Sequence, residues 1–332
     1  MDYADDRIDP QLRALLPMLP RVDVADPAGF REAQRVRQAE LAAAAGPLPG
    51  VRVADRTVPG TAGGPDVAIR VYAPDRDPAV RGVLVWFHGG GYVFGDIASS
   101  DRSCAAVAVE ADCVVVSVEY RLAPEDPYPA GLEDAYAALL WVAEHAAEVG
   151  GGAGVDASRI AVGGVSAGAG LAAALALYVR DKGGPALVLQ LLDNPMIDNH
   201  VATVSANTFT DTPLWTGPQA RLAWSAYLGG LAGPADGRAE GAEPADADVP
   251  PYAAPSRAAE LAGLPAAFVT ANEFDPLRDE GIEYALRLLQ AGVPVELHHR
   301  PGTFHGSNFL PGAEVSERAR QDMYAAVRRA LA

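Results

Sequence analysis

The sequence predicts an α/β protein with a mostly parallel central sheet flanked by helices, and three observations predict it. From Asp101 onward, short apolar runs alternate with helix-favouring segments, the order expected of parallel strands joined by crossover helices. The run Val83 to Phe87 is apolar throughout, as a strand covered on both faces must be. The run Ile160 to Val162 passes through Gly164-Val-Ser-Ala-Gly168 directly into an Ala/Leu-rich helix, so strand and helix meet in a very sharp turn with Ser166 at its apex. The 332 residues, 49% of them hydrophobic, suffice for a large core, and with no internal repeat they read as one domain, 1–332.

The elements follow in order. Residues 7 to 45 carry scattered apolar positions punctuated by prolines and predict two or three short amphipathic helices, a preface suited to a lid or to packing on the flank of the core. Strands are predicted at Val51–Val58, Val67–Tyr72 and Val83–Phe87, and the short Gly/Pro/Asp connections between them predict antiparallel pairing. The regular alternation then gives a helix from Asp101 to Glu110, a strand Val114–Val118, a helix from about Leu132 to Ala147, the Ser166 turn, and a strand near Leu187–Leu192. Residues 200 to 250 break the pattern, with a helix Pro218–Leu228 and a Gly/Ala/Asp/Pro-rich stretch. They form an insertion, and the cap elements are placed at about 1–45 and 200–248. Alternation resumes with a strand Ala267–Thr270, a helix Arg278–Gln290, a strand Val293–His298 and a helix Glu314–Leu331.

Composition excludes some partners. With 43 acidic against 26 basic residues and a formal charge of −17, the chain has no basic balance suited to nucleic acid or an anionic membrane. No run is long enough for a membrane span, and the acidic Met1 to Gln11 stretch lacks the features of a secretory leader, so the expected location is cytoplasmic. Cys104 and Cys113 have no metal-ligand spacing and read as buried free thiols; no metal is expected.

Chemistry concentrates at the predicted carboxyl ends of the strands. A serine hydroxyl is a weak nucleophile unless an imidazole takes its proton and a carboxylate orients that imidazole. Ser166, Asp275 and His305 each follow a predicted strand, the last two following consecutive ones, and their order is the chain order of the α/β-hydrolase triad. His88-Gly-Gly-Gly-Tyr92 follows a buried strand, and its amides can point into a cleft with no Cβ in the way. As a phosphate cradle it lacks the Lys and Ser/Thr of a P-loop; as an oxyanion hole it has its nucleophile downstream. A rival reading takes Gly168, Gly170 and Ala173 as a dinucleotide fingerprint with Asp193 as its acidic partner, which would make the chain a dehydrogenase.

Together, His88-Gly-Gly-Gly-Tyr, Tyr120-Arg-Leu-Ala-Pro-Glu, Gly164-Val-Ser-Ala-Gly, Asp275-Pro-Leu-Arg-Asp-Glu and His305-Gly resemble the hormone-sensitive-lipase-like (bacterial family IV) esterases over nearly the whole chain. The resemblance implies the α/β-hydrolase fold with a helical cap. It also implies a cofactor-free carboxylesterase acting on small-molecule esters of short to medium acyl chains through an acyl-enzyme, and frequent assembly as a homodimer. Ser166 is then the nucleophile, His305 the base and acid, Asp275 the orienting carboxylate, and the amides of Gly89, Gly90 and Ala167 the oxyanion hole. His88 and Gly91 support that loop; Tyr92, Phe94, Trp215 and Phe309 are candidates for the substrate pocket. Asp279 and Glu125 look like structural acids of the family. Asp198 and Asp211 are weaker candidates for the triad acid. The chain departs from the family pattern at Val165 and at Ser307-Asn308-Phe309, which bears on pocket shape. Two alternatives use the same scaffold: a metabolite-specific tailoring hydrolase or acyltransferase with the same triad, and a non-catalytic small-molecule receptor.

Overall fold

The computed structural model describes residues 5–76, 79–150, 154–229 and 249–332. Among the described residues eight strands form one sheet: β1 (Val51–Val58), β2 (Val67–Pro74), β3 (Arg81–Phe87), β4 (Val114–Val118), β5 (Val155–Val165), β6 (Leu189–Asp193), β7 (Ala266–Phe274) and β8 (Val295–Phe304). Their order is β1-β2-β4-β3-β5-β6-β7-β8. The β1–β2 and β2–β4 pairs are antiparallel and the remaining pairs parallel.

The strand pairing corrects one expectation. β1 and β2 do pair antiparallel, but β3 does not pair with β2. β4 lies between them, with Val116 opposite Val71 on one side and Val85 on the other. Burial explains the order. β3 is covered on both faces from Gly82 to Phe87 and takes parallel neighbours on both sides, whereas β2 leaves Ala68 exposed and Arg70 half-buried and sits farther out.

Two helices cover one face of the sheet, α3 (Ile97–Ala111) and α9 (Glu314–Leu331), against Leu84, Trp86, Val115, Leu191 and Phe268. On the other face α4 (Ala130–Glu144), α5 (Ala167–Lys182) and α8 (Arg278–Gln290) pack on Val83, Val85, Phe87, Val162 and Val269. Successive residues of β3 thus feed opposite layers, as a period of two requires. Cys104 and Cys113 are free and buried in the α3 layer, and burial pushes the Cys113 thiol up to about 12.

The preface also differs from expectation. It holds a single-turn helix, α1 (Pro10–Arg13), and one continuous 19-residue helix, α2 (Pro27–Ala45). Asp26 caps α2 by accepting from the Gly29 amide, Pro27 opens its first turn, and Gly46 at φ 70° ends it. In the insertion, α6 (Val204–Thr208) and α7 (Gly217–Leu228) are each capped by a threonine, Thr203 and Thr216. The Gln219 side chain donates to the Val22 carbonyl at 2.7 Å, joining insertion to preface. The rest of the predicted insertion, residues 230–248, lies outside the described residues. No helix among the described residues is long and apolar enough to cross a membrane.

Candidate active site

Ser166 stands between the end of β5 and the start of α5 with φ 57° and ψ −121°, a conformation costly for any residue with a Cβ. Its neighbours make room for it. A Cβ on Gly164 would lie 2.4 Å from the Phe87 carbonyl oxygen, and one on Gly168 would lie 2.1 Å from the same atom. Three backbone hydrogen bonds then fix the turn: the Ser166 amide donates to Asp193 O at 2.8 Å, and Ser166 O accepts from Gly170 and Met196 at 3.0 Å each.

His305 and Asp275 arrive from the adjoining strand ends. Asp275 follows β7 and His305 follows β8. The imidazole Nε2 lies 3.0 Å from Ser166 Oγ, and Nδ1 lies 2.7 Å from Asp275 Oδ2. Asp275 is fully buried and its other oxygen accepts from the Leu277 amide at 2.9 Å. A carboxylate can only accept, so Nδ1 carries the proton and Nε2 is left to accept one from the serine. Asp198 is instead engaged by His200, and Asp211 is exposed.

The glycine loop faces this array. Gly90 (φ 125°) and Gly91 (φ 62°) adopt conformations that L side chains rarely reach, and the Gly90 carbonyl accepts from the amides of Val93 and Phe94. A Cβ on Gly89 would stand 3.5 Å from that of Ser166, so the backbone of Gly89 abuts the serine. Ala167 is the first residue of α5, where an amide has no acceptor within the helix. His88 holds the base of the loop. Its Nδ1–H donates to Gly89 O at 2.9 Å, its ring stacks on Tyr120 at 4.3 Å, and the Tyr120 hydroxyl donates to His88 O at 2.7 Å. Complete burial pushes its imidazole down to about 4, so it is neutral.

The four pocket candidates separate. Tyr92 and Phe94 are buried in packing against the preface and α7. The Tyr92 ring stacks on Tyr227 at 3.9 Å and its hydroxyl donates to Met196 O, while Phe94 lies 4.6 Å from Phe30. Trp215 does reach the site: its ring is 6.1 Å from that of His305, and a Cβ on Gly91 would come within 2.6 Å of its Cη2. Phe309 is half-buried in the turn Ser307–Phe309 that follows His305. Leu16, Leu19 and Val22 on one side and Thr212, Leu214 and Gln219 on the other line a cleft of 480 Å³. One wall is Leu214, whose Cδ1 would be 3.4 Å from a Cβ on Gly306.

Two groups of residues escaped sequence reasoning. Arg31 of α2 donates to Val93 O at 2.7 Å and Ala123 O at 2.6 Å and pairs with Glu125 at 2.9 Å, tying the preface to the glycine loop. Nothing in the sequence distinguishes it from the other arginines of α2. Thr270, Asn194 and Asn308 surround Asp193, a residue noticed at its strand end only as the acid of the rival dinucleotide reading. That reading fails on space. A Cβ on Gly170 would be 2.1 Å from Met196 O, and Gly168 is equally closed, so neither glycine opens onto room for a pyrophosphate. Asp279 and Glu125 have structural partners: Asp279 accepts from the Ser205 amide at the start of α6.

Residues 84–308 match a family described as having the alpha/beta hydrolase fold. The chain belongs to that family. Within it, the hydrolase is 42% identical over 330 residues to the carboxylesterase NlhH of Mycobacterium tuberculosis, covering 98% of this chain and 96% of that one. It is 32% identical over 268 residues to an ethyl acetate hydrolase of Pseudomonas putida, covering 79% and 77%. Among solved structures, a bacterial heroin esterase superposes with a TM-score of 0.91 at 47% identity, covering 98% of this chain and 99% of that one. The α/β hydrolase described here is accordingly an ester hydrolase of the hormone-sensitive-lipase-like branch.

Proposed function

We propose that Ser166, His305 and Asp275 carry out ester hydrolysis through an acyl-serine intermediate, on small-molecule esters of short to medium acyl chain. The observation that carries this reading is the unbroken chain of hydrogen bonds from Ser166 Oγ through both imidazole nitrogens to Asp275. Nε2 takes the serine proton as Oγ attacks the ester carbonyl, and Asp275 stabilises the imidazolium that forms. The developing oxyanion is received by the amides of Gly89, Gly90 and Ala167; one such donor is worth roughly a hundredfold to a thousandfold in turnover. The imidazolium then protonates the leaving alcohol, and water repeats the sequence on the acyl-enzyme.

Two further features support a small acyl group. Trp215 stands over Gly91 and beside His305, limiting the depth of the site, and a relative named for ethyl acetate acts on an ester with a small acyl part. The preface and the insertion, about 1–45 and 200–248, serve as a cap on a single domain: the bond from Gln219 to Val22 links them, and α7 meets the glycine loop through Trp224 and Tyr227.

The test is hydrolysis of p-nitrophenyl esters from acetate to decanoate by the protein and by Ser166→Ala. Rates that peak at a short chain and fall to background in the variant are expected. Turnover that persists in a folded Ser166→Ala protein would remove the serine from the mechanism.

A further inference from the structure

Asp193 ends β6, between the strand that delivers Ser166 and the strand that delivers Asp275. It is 1% exposed, and burial pushes its carboxyl above the usual range. Oδ1 accepts from Thr270 Oγ1 at 2.5 Å and from Asn194 Nδ2 at 2.8 Å; Oδ2 accepts from Asn308 Nδ2. Every one of these partners donates to the carboxyl group. Such a set suits an ionised carboxylate and offsets much of its burial cost.

The connections of this carboxylate lead to the catalytic histidine from both sides. Asn308 lies in the turn immediately beyond His305, and its carbonyl accepts from Arg320 at 2.6 Å. On the other side, Asn194 Oδ1 accepts from the Asn272 amide, Asn272 Nδ2 donates to Phe304 O at 2.8 Å, and Asn272 Oδ1 accepts from Thr303 at 3.0 Å. The segment from Thr303 to Asn308 is therefore gripped before and after His305. Meanwhile the main chain of Asp193 accepts the amide of Ser166 itself. One residue holds the nucleophile through its backbone and the base through its side chain.

We infer that Asp193 is a positioning residue that sets the His305 loop in register with Ser166 through its carboxylate–amide pair with Asn308. The inference rests on the triad proposed above. Asp193 does not touch the reacting atoms; it fixes the separation of the two groups that exchange a proton. A displacement of about 1 Å between such groups is enough to cost roughly a hundredfold in rate.

The experiment compares Asp193→Asn, Asn308→Ala and the exchanged pair D193N/N308D in p-nitrophenyl acetate hydrolysis. Turnover is expressed per active site titrated with diethyl p-nitrophenyl phosphate, and unfolding is followed in parallel. Each single variant is expected to lose roughly tenfold to a hundredfold in kcat per titrated site, with KM within about twofold. The exchanged pair, which puts the carboxylate on the loop and the amide on the strand, recovers most of that loss. A residue that merely supports the fold would lower stability and the fraction of titratable sites while leaving kcat per site unchanged. That result, or an exchanged pair no faster than the single variants, would overturn the inference. If Asp193→Asn does not fold, Asn308→Ala decides by the same readout. Activity surviving in Ser166→Ala would instead sink the triad reading, a failure distinguishable from wild-type turnover in the Asn308 variant.

Discussion

The α carbon of Gly168 packs against the carbonyl oxygen of Phe87 so closely that a Cβ there would lie 2.1 Å from it and 2.4 Å from the carbonyl of His88. The first turn of α5 therefore presses on the end of β3, and Ser166 and the glycine loop are brought together through this backbone contact. The pattern Gly-x-Ser-x-Gly marks where two main chains touch.

Gly168→Ala is accordingly expected to push α5 off β3 and separate Ser166 from Gly89 and Gly90. Overpacking of this kind costs about 1–3 kcal/mol, or more where backbone must yield, and activity should fall by at least roughly a hundredfold. Ala169→Gly is the control. It changes a buried position one residue along the same helix, costs about 1 kcal/mol in helix propensity plus a methyl-sized void, and should keep most of its activity. Chemical denaturation and ester hydrolysis on both variants check the contrast.

That Ser166, His305 and Asp275 meet was legible because each follows an apolar run, and apolar runs in a parallel sheet deliver their ends to one edge. The elbow was legible because its glycines are demanded by local backbone clashes. What stayed hidden depends on neighbours distant in sequence. The insertion of β4 between β2 and β3 leaves no trace in the periodicity of any one strand. The 19-residue α2 reads as fragments because Val36 and Leu41 are 50% and 57% exposed, so no continuous apolar stripe marks one face. Asp193 was visible at its strand end only in the rival dinucleotide reading, because Thr270 and Asn308, which bind its carboxylate, lie on β7 and beyond β8.

Arg31 gives a second prediction. Its guanidinium satisfies two carbonyls, one in the glycine-loop turn at Val93 and one at Ala123, in a fork that an ammonium cannot reproduce. Arg31→Ala should cost about 1–3 kcal/mol for the carbonyls left unpaired and lower kcat through a loosened loop. Arg31→Lys should recover little of either. Glu125→Ala, which removes only the half-exposed ion pair, should cost well under about 1 kcal/mol. Thermal unfolding with parallel kinetics separates the three.

His88 makes stability depend on pH in a defined window. Its folded value is about 4, against about 6.5 for an unperturbed imidazole, so the unfolded chain binds a proton that the folded chain refuses. The sign follows: this contribution is fully present above about pH 6.5 and is lost as the pH falls toward 4, amounting to on the order of 3 kcal/mol. Protein carrying His88→Gln should start less stable at neutral pH, having lost the stacked ring, but should show a shallower decline across that window. Urea unfolding at intervals from pH 7 to 4 tests this. Parallel slopes for the two proteins would assign the acid sensitivity to other groups.

Trp215 should control acyl length. The edge of its indole lies over Gly91 while its ring is tilted beside His305, so it occupies space next to both the glycine loop and the imidazole. Removing it leaves the triad hydrogen bonds untouched and opens a volume that additional methylenes can enter. Each buried methylene is worth about 0.8 kcal/mol, close to fourfold in kcat/KM, so a few of them reverse a preference of tenfold to a hundredfold. Trp215→Ala is therefore expected to move the optimum toward octanoate and decanoate, with acetate hydrolysis reduced only modestly. Trp215→Leu should fall between. The void also costs stability, about 3–5 kcal/mol for a buried tryptophan, so rates should be compared at a temperature where both variants are folded. If the chain-length profile keeps its shape while all rates fall together, Trp215 supports the glycine loop and the acyl group lies elsewhere, toward the cleft lined by Leu16, Leu19, Val22, Leu214 and Gln219.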